Sequence, residues 1–165
     1  VWEVCRGVRA AWLGSVFGTE SAEYVNGIPA VFATLMGESA SKQVKLLIDT
    51  GSGFAVLLNP SALDGGGAGN VLASTPYSVE HVSVHGDSMC GKVGTSSVRI
   101  AGSTLQSVPV VVNTGKAGVS NADGLIGMGL LRCMDIYLGK RHVGLRLNGQ
   151  KPISAHAYKD FGCKG

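Results

Sequence analysis

The chain has 165 residues and a net charge of +3 at pH 7; it is rich in Gly (25 residues) and poor in charged (15%) and aromatic (6%) residues. This composition argues against a helical bundle, which would need more Glu, Lys and Leu, and favours many short strands joined by tight turns. It also argues against nucleic-acid binding, because no dense Lys/Arg cluster is interleaved with aromatic residues, and no apolar run approaches the ~20 residues that span a bilayer.

The first strongly patterned part of the chain predicts a β-hairpin. Two apolar stretches, Ala30–Met36 and Gln43–Ile48, flank a polar break rich in Gly and Ser, which is typical of paired strands. The preceding Asn26-Gly27 pair predicts a tight turn. The second strand of this hairpin ends directly on Asp49.

Further strands are predicted along the rest of the chain. They cover Phe54–Leu58, Tyr77–Val84, Val98–Ile100, Val108–Val112 and His142–Leu147. Gly65–Asn70 predicts a loop and Asn113-Thr114-Gly115 a turn. Leu130–Met134 is the best helix candidate, and Met128 and Met134 are interpreted as core side chains.

The two ends of the chain are less informative. Residues 1–25 have no clean period and are treated as an N-terminal extension of uncertain structure, and 26–165 are assigned to one domain. The localisation stays open.

The four cysteines, Cys5, Cys90, Cys133 and Cys163, form no CxxC or Cys/His metal pattern. They allow two disulfides in any of three pairings, or four buried thiols. Cys5 and Cys163 lie near the two ends, which suggests that they pair, but the sequence alone leaves the pairing open.

Asp49 is the most informative residue. It follows three apolar residues and precedes the small residues Thr50, Gly51 and Ser52. A carboxylate at the end of an apolar strand is costly unless it is bonded or paired. It is either a structural turn residue bonded to local amides or a functional group.

Three segments, in order, carry a family resemblance. Asp49-Thr50-Gly51-Ser52 resembles the active-site signature of the pepsin and retropepsin families of aspartic proteases, and Asp123-Gly124-Leu125-Ile126-Gly127 resembles their second signature. Between them, His85–Gly94 is similar to the flap of pepsins. The resemblance implies an all-β fold: a lobe like that of retropepsin or pepsin, built as a closed β-barrel with a flap hairpin and one short helix near residues 129–136.

The resemblance also implies the site residues. Asp49 is the catalytic carboxylate, Thr50 locks two catalytic loops together, Gly51 allows close backbone approach, and Ser52 hydrogen-bonds Asp49. Leu125, Ile126 and Gly127 support the loop by packing. The flap residues that bind substrate are His85, Gly86, Asp87, Ser88 and Met89. Weaker candidates for pocket walls are Phe54, Val56 and Val84, whereas Asp87 and Asp123 are also typical of solvated turns.

Peptide hydrolysis in this family uses two carboxylates that share one proton. The sequence has one Asp-Thr-Gly, whereas a two-lobed pepsin needs two. The resemblance therefore implies a homodimeric endopeptidase, with Asp49 of each subunit on the twofold axis and polypeptides as substrates. It implies no cofactor and no metal; His81 and His85 alone would make a poor metal site.

Two departures from the family pattern keep alternatives open. Retropepsins usually carry an ion pair at the positions occupied here by Gly53 and Met128, and pepsins place a Tyr on the flap where this chain has His85. The alternatives are a binding or assembly module with weak or no catalysis, and one lobe of a larger two-lobed protease.

Overall fold

The computed structural model describes residues 18–21, 23–64, 71–83, 86–115 and 118–163, and nearly all of the regular structure there is β-strand. The strands are β1 (Gly18–Ser21), β2 (Glu23–Val25), β3 (Ile28–Met36), β4 (Ser41–Ile48), β5 (Val56–Leu58), β6 (Ala73–Val82), β7 (Ser88–Ile100), β8 (Ser103–Asn113), β9 (Gly124–Ile126), β10 (Met134–Leu138) and β11 (His142–Leu147). One α-helix, α1 (Met128–Leu131), and the 3₁₀ helices Pro60–Leu63 and Ala155–Tyr158 complete these ranges. The prediction of an all-β fold is confirmed.

Eight strands form one sheet that returns upon itself. Their order is β2-β3-β4-β9-β5-β8-β7-β6, and an additional pairing of β3 with β7 closes the ring. Side chains alternate across each strand, so Val31, Ala33 and Leu35 of β3 all point into the core. The largest fully buried side chains include Leu46, Leu58, Ile100, Ile126 and Leu130.

A second sheet has three strands in the order β1-β11-β10. Val143 and Leu145 of β11 are buried and join the main hydrophobic core. Within the described ranges, β10 is hydrogen-bonded to a neighbouring strand only on its β11 side.

The predicted hairpins are confirmed. Asn26 and Gly27 have φ values of 51° and 80°, and Val25 pairs with Ile28, as expected for a two-residue turn between twisted strands. β3 and β4 pair from Ala30↔Leu47 to Met36↔Ser41.

The later strands were predicted with less accurate ends. The strand His142–Leu147 is confirmed as β11, whereas β5 begins only at Val56 and β7 is much longer than predicted, beginning at Ser88. The predicted loop Gly65–Asn70 lies outside the described residues.

The predicted helix is too long. Only Met128–Leu131 are α-helical, and Met134 already pairs with Leu147 in the second sheet. Sheet pairing overrides local helical preference here, because it buries Met134 to 6% exposure. Met134 is a core residue as interpreted, but Met128 is 42% exposed and that interpretation is wrong.

The cysteine pairing differs from the one that the chain ends suggested. Cys163 forms a disulfide with Cys90 of β7, so it does not pair with Cys5. Cys133 is a buried free thiol, and burial raises its pKa although the neighbouring Arg132 guanidinium partly opposes this. An elevated pKa makes the thiol a weak nucleophile.

The last described residues, 150–163, form what we call the C-terminal strap. It begins beside α1, where the Ile153 N–H donates to Gly129 O at 2.8 Å. It ends on the outer strand β6, where the Glu80 N–H donates to Phe161 O at 2.8 Å and Cys163 closes the disulfide. The strap therefore covers part of the edge of β6.

Candidate active site

Asp49 stands at the end of β4, in the centre of the large sheet. β4 runs parallel to β9, which pairs on its other side with β5. The Asp49 N–H continues the ladder by donating to Ile126 O at 2.9 Å. The pairing of β4 with β9, and of β9 with β5, therefore fixes the backbone at Asp49.

The carboxylate of Asp49 is half-buried and is held by its own turn. Its Oδ1 accepts a hydrogen bond from the Gly51 N–H at 2.9 Å, and its carbonyl accepts one from the Ser52 N–H at 3.3 Å. A Cβ on Gly51 would lie 3.2 Å from Oδ1, so a glycine allows this close approach. The bond to a local amide is one that a structural turn carboxylate would also make.

Ser52 makes a different contact from the one expected. Its hydroxyl accepts a hydrogen bond from the Phe54 N–H at 3.3 Å, and its carbonyl accepts one from the Met128 N–H at 2.7 Å. Ser52 thus ties the Asp49 turn to the start of α1. The expected bond from Ser52 to the Asp49 carboxylate stays a prediction.

The second signature runs beside this turn at very close range. A Cβ on Gly127 would lie 2.6 Å from the carbonyl oxygens of both Phe54 and Ser52. Gly129, which the sequence did not single out, is equally confined: its Cβ would lie 2.6 Å from Ala55 N. Only glycine can bring the two backbones this close together.

A cavity of about 450 Å³ opens beside Asp49. Its apolar lining comes from Phe54, Leu57, Val82, Met89, Val119 and Leu125, and its polar lining includes Asp49, Ser52, Ser83, Asp87, His81 and Asn113. Of the weaker wall candidates, Phe54 is confirmed, Val84 lies outside the described residues, and Val56 is wrong. Val56 is fully buried because alternation along β5 turns Leu57 to the cavity instead.

The hairpin of β6 and β7 carries the predicted flap. Asp87 and Met89 line the cavity, whereas Gly86 and Ser88 are exposed, and the Ser88 hydroxyl donates to Glu80 Oε1 at 2.6 Å. His85 lies outside the described residues. The hairpin thus brings two of the four described flap candidates to the cavity beside Asp49.

One polar pair in the cavity was missed. His81 Nε2 lies 2.7 Å from Asn113 Oδ1, and the His81 ring meets Phe54 edge-on at 5.1 Å. Asn113 is the last residue of β8 and is 3% exposed, so its assignment to a turn is wrong. The signal was weak, because the two residues lie on β6 and β8, with β7 between them. Among the described residues, no group of three His, Cys, Asp or Glu could hold a metal ion.

Asp123 is not a solvated turn residue. Its Oδ2 accepts a hydrogen bond from the Lys45 N–H at 2.7 Å, and its own N–H donates to Lys45 O at 2.8 Å. The carboxylate therefore anchors the start of β9 to β4. Asp87, in contrast, is exposed as expected.

On another face of the Asp49 turn, Thr50 lines a separate groove of about 290 Å³. Met128 and the β10 residues Met134, Asp135 and Ile136 also line it. Thr50 and Met128 are both exposed. The groove thus connects the Asp49 loop with β10 of the second sheet.

Comparison with known proteins places these features in a family. Residues 31–130 match the family model described as "Aspartyl protease". This range includes both signature segments and the flap segment of the chain. A comparison with curated protein sequences found no match.

Solved structures are similar at low sequence identity. An aspartic proteinase from Irpex lacteus is 20% identical with a TM-score of 0.52, over 65% of this chain and 30% of that one. A retropepsin-like aspartic protease from Rickettsia conorii is 19% identical with a TM-score of 0.50, over 77% of this chain and 98% of that one. The chain thus spans less than a third of the first protein and nearly all of the second, and the predicted retropepsin-like architecture is confirmed.

Proposed function

Because the chain belongs to the aspartyl protease family, we propose that it hydrolyses peptide bonds as one half of a homodimer whose two Asp49 carboxylates share one proton. The observation that carries this proposal is the position of Asp49. It ends a buried strand, bonds the Gly51 N–H at 2.9 Å, and faces the 450 Å³ cavity beside the flap hairpin.

The chemistry needs both protonation states at once. The ionised Asp49 of one subunit takes a proton from water, and the protonated Asp49 of the other polarises the scissile carbonyl. The bond from the Gly51 N–H fixes the plane of each carboxylate. Because the pair needs one proton, activity is expected to be highest at acidic pH.

The proposed dimer face is the groove beside Thr50. The exposed Thr50 would bond the opposite loop across the axis, and the edge of β10 that pairs with no strand among the described residues offers backbone groups to a second copy. Met128 replaces a residue of the usual retropepsin ion pair and is 42% exposed. We propose that it contributes an apolar contact at the axis in place of that ion pair.

The proposed substrate is an extended polypeptide. Six of the cavity-lining side chains are apolar, including Phe54, Met89 and Leu125, which suits an apolar substrate side chain next to the scissile bond. Asp87 and Met89 of the flap would cover the substrate and exclude water.

The test compares wild type with Asp49→Asn on denatured casein between pH 3 and pH 7 at several protein concentrations. Asp49→Asn keeps the shape of the side chain but cannot ionise, so activity should fall at least about a thousandfold. The specific activity of wild type should also fall on dilution, because dissociation separates the two carboxylates. Equal activity of the two proteins would contradict the proposal.

A second candidate follows from the absence of the ion pair at Gly53 and Met128. A chain that does not dimerise would have one carboxylate per site and would serve as a binding module or as one lobe of a larger protease. Sedimentation at high protein concentration separates the two: a dimer supports the homodimeric enzyme, and a strict monomer supports the alternative.

A further inference from the structure

We propose that Asn59 is a positioning residue that holds one wall of the substrate cavity and thereby sets the affinity for substrate. This inference rests on the proposed function. The wall is the segment of residues 118–123, which we call the cleft wall. It lies about 60 residues from Asn59 in the sequence and leads into β9.

Among the described residues the Asn59 side chain makes three hydrogen bonds, and all three go to the cleft wall. Its Nδ2 donates to Val119 O at 2.8 Å and to Ala122 O at 2.9 Å. Its Oδ1 accepts from the Val119 N–H at 2.8 Å. The backbone adds a fourth bond, because the Asn59 N–H donates to Asp123 O at 2.8 Å. One side chain thus substitutes for a neighbouring strand along this segment.

The chemistry of this contact is specific to an amide. Asn carries a donor and an acceptor in one plane and so matches both the N–H and the C=O of Val119. Asp at this position would turn a carboxylate towards two carbonyl oxygens. Glycine at position 118 leaves room for the Asn59 amide, since a Cβ on Gly118 would overlap the Oδ1 and Cγ atoms of Asn59.

Asn59 has a second, separable role that uses only its backbone. It precedes the 3₁₀ helix Pro60–Leu63, and its carbonyl accepts from the Ala62 N–H at 3.1 Å, while its side chain makes no capping bond. Substitution of the side chain should therefore leave this helix in place.

The cleft wall matters for substrate because it lines the cavity. Gly118 and Val119 bound the same 450 Å³ space as Asp49 and the flap residues Asp87 and Met89. The start of β9 is anchored independently by Asp123 and Lys45. Loss of the Asn59 side chain should therefore move the cleft wall and leave the Asp49 turn intact.

The experiment uses the dimeric enzyme and three variants. Asn59→Ala removes the contact, and Gly118→Ala displaces it from the other side. The matched control is Ser96→Ala: Ser96 is buried and, like Asn59, bonds the backbone of another segment, at Met36 N (3.1 Å) and Met36 O (3.2 Å), but it does not line the cavity. For both test variants KM should rise about tenfold while kcat stays within about twofold, and the control should keep both values.

Hydrogen exchange supplies a readout that does not depend on activity. The amide of Val119 should exchange at least about tenfold faster in Asn59→Ala than in wild type or Ser96→Ala, and the amide of Asp49 should be unchanged. If Asn59→Ala fails to fold, Asn59→Ser tests the same bonds.

The outcomes are separable. Wild type that cleaves, with KM unchanged in both test variants, overturns the inference. Wild type that cleaves nothing overturns the proposed function, and unchanged exchange at Val119 would then overturn the positioning role as well. A rise in KM together with faster exchange supports it.

Discussion

The two sides of the cavity are held by different means. The floor, β4, β9 and β5 with the turns that join them, is fixed by strand pairing and by glycines that let backbones touch. The cover, the hairpin of β6 and β7, is exposed at residues 86–88 and is tied close to this tip by the C-terminal strap, which is bonded to the facing residues Glu80 and Cys90. This difference fits the proposed function, in which the floor places the Asp49 carboxylate and the cover admits substrate.

The largest loss of stability is expected where the backbones of the floor pack most closely, at Gly127. Gly127→Ala would place a Cβ 2.6 Å from two backbone carbonyl oxygens, and neither can move without shifting the Asp49 turn. We expect a loss of more than about 3 kcal/mol in the free energy of unfolding, or no folded protein. Urea unfolding measures it.

Gly53→Ala is the matched control for that prediction. A Cβ on Gly53 meets no atom within 4 Å, so the change should stay within about 0.5 kcal/mol. Similar losses in the two variants would show that the floor is not confined as described.

The cover should respond to loss of its cross-link. The Cys90–Cys163 disulfide joins residues 73 apart in sequence, and replacing both by Ser should lower the free energy of unfolding by about 4 kcal/mol. Amide exchange should accelerate at Glu80, which donates to the strap, but not at Asp49 in the floor.

Reductant provides the control for the cross-link. It should lower the urea midpoint of wild type to that of the double variant and leave the variant itself unchanged. A wild type whose midpoint is insensitive to full reduction would contradict the role assigned to the strap.

The smallest effect is expected at Tyr158, where the strap packs against Phe54 at 6.0 Å. The Tyr158 hydroxyl is buried and has no hydrogen-bond partner of good geometry among the described residues. Tyr158→Phe should therefore be neutral or stabilising by up to about 1 kcal/mol at neutral pH.

The pH dependence gives the same residue a sharper test. Burial raises the pKa of Tyr158 above its ordinary value of 10.0, although the Ala55 backbone amide partly opposes this. The neutral phenol is thus favoured in the folded state. The pH-dependent contribution of Tyr158 to the free energy of unfolding is therefore complete below pH 10 and is lost as the pH rises through the pKa of the folded state. Tyr158→Phe should flatten the alkaline fall in stability, and an unchanged slope would count against this.

Much of the fold around Asp49 could be predicted because its signals are local. Asn26-Gly27 specifies a turn, alternation specifies β3, and the Asp49-Thr50-Gly51-Ser52 string marks the site without any long-range information. The 165 residues therefore identify the fold class and the position of Asp49.

The remaining features depend on contacts that are distant in sequence. Asn59 reads as the end of a strand before Pro60, yet its side chain holds a segment 60 residues away. The partner of Cys163 and the pairing of His81 with Asn113 likewise depend on strand order, which no local pattern encodes. The helix after Gly127 was predicted too long because the pairing of Met134 with Leu147 is also non-local.

The most direct test of the account is to mix wild-type subunits with Asp49→Asn subunits and allow them to exchange. If each site needs Asp49 from both subunits, an equal mixture should show about half of the activity of the same wild-type protein kept unmixed, and excess variant should abolish activity. Activity that follows the amount of wild type alone, however much variant is added, would contradict a site shared between two subunits.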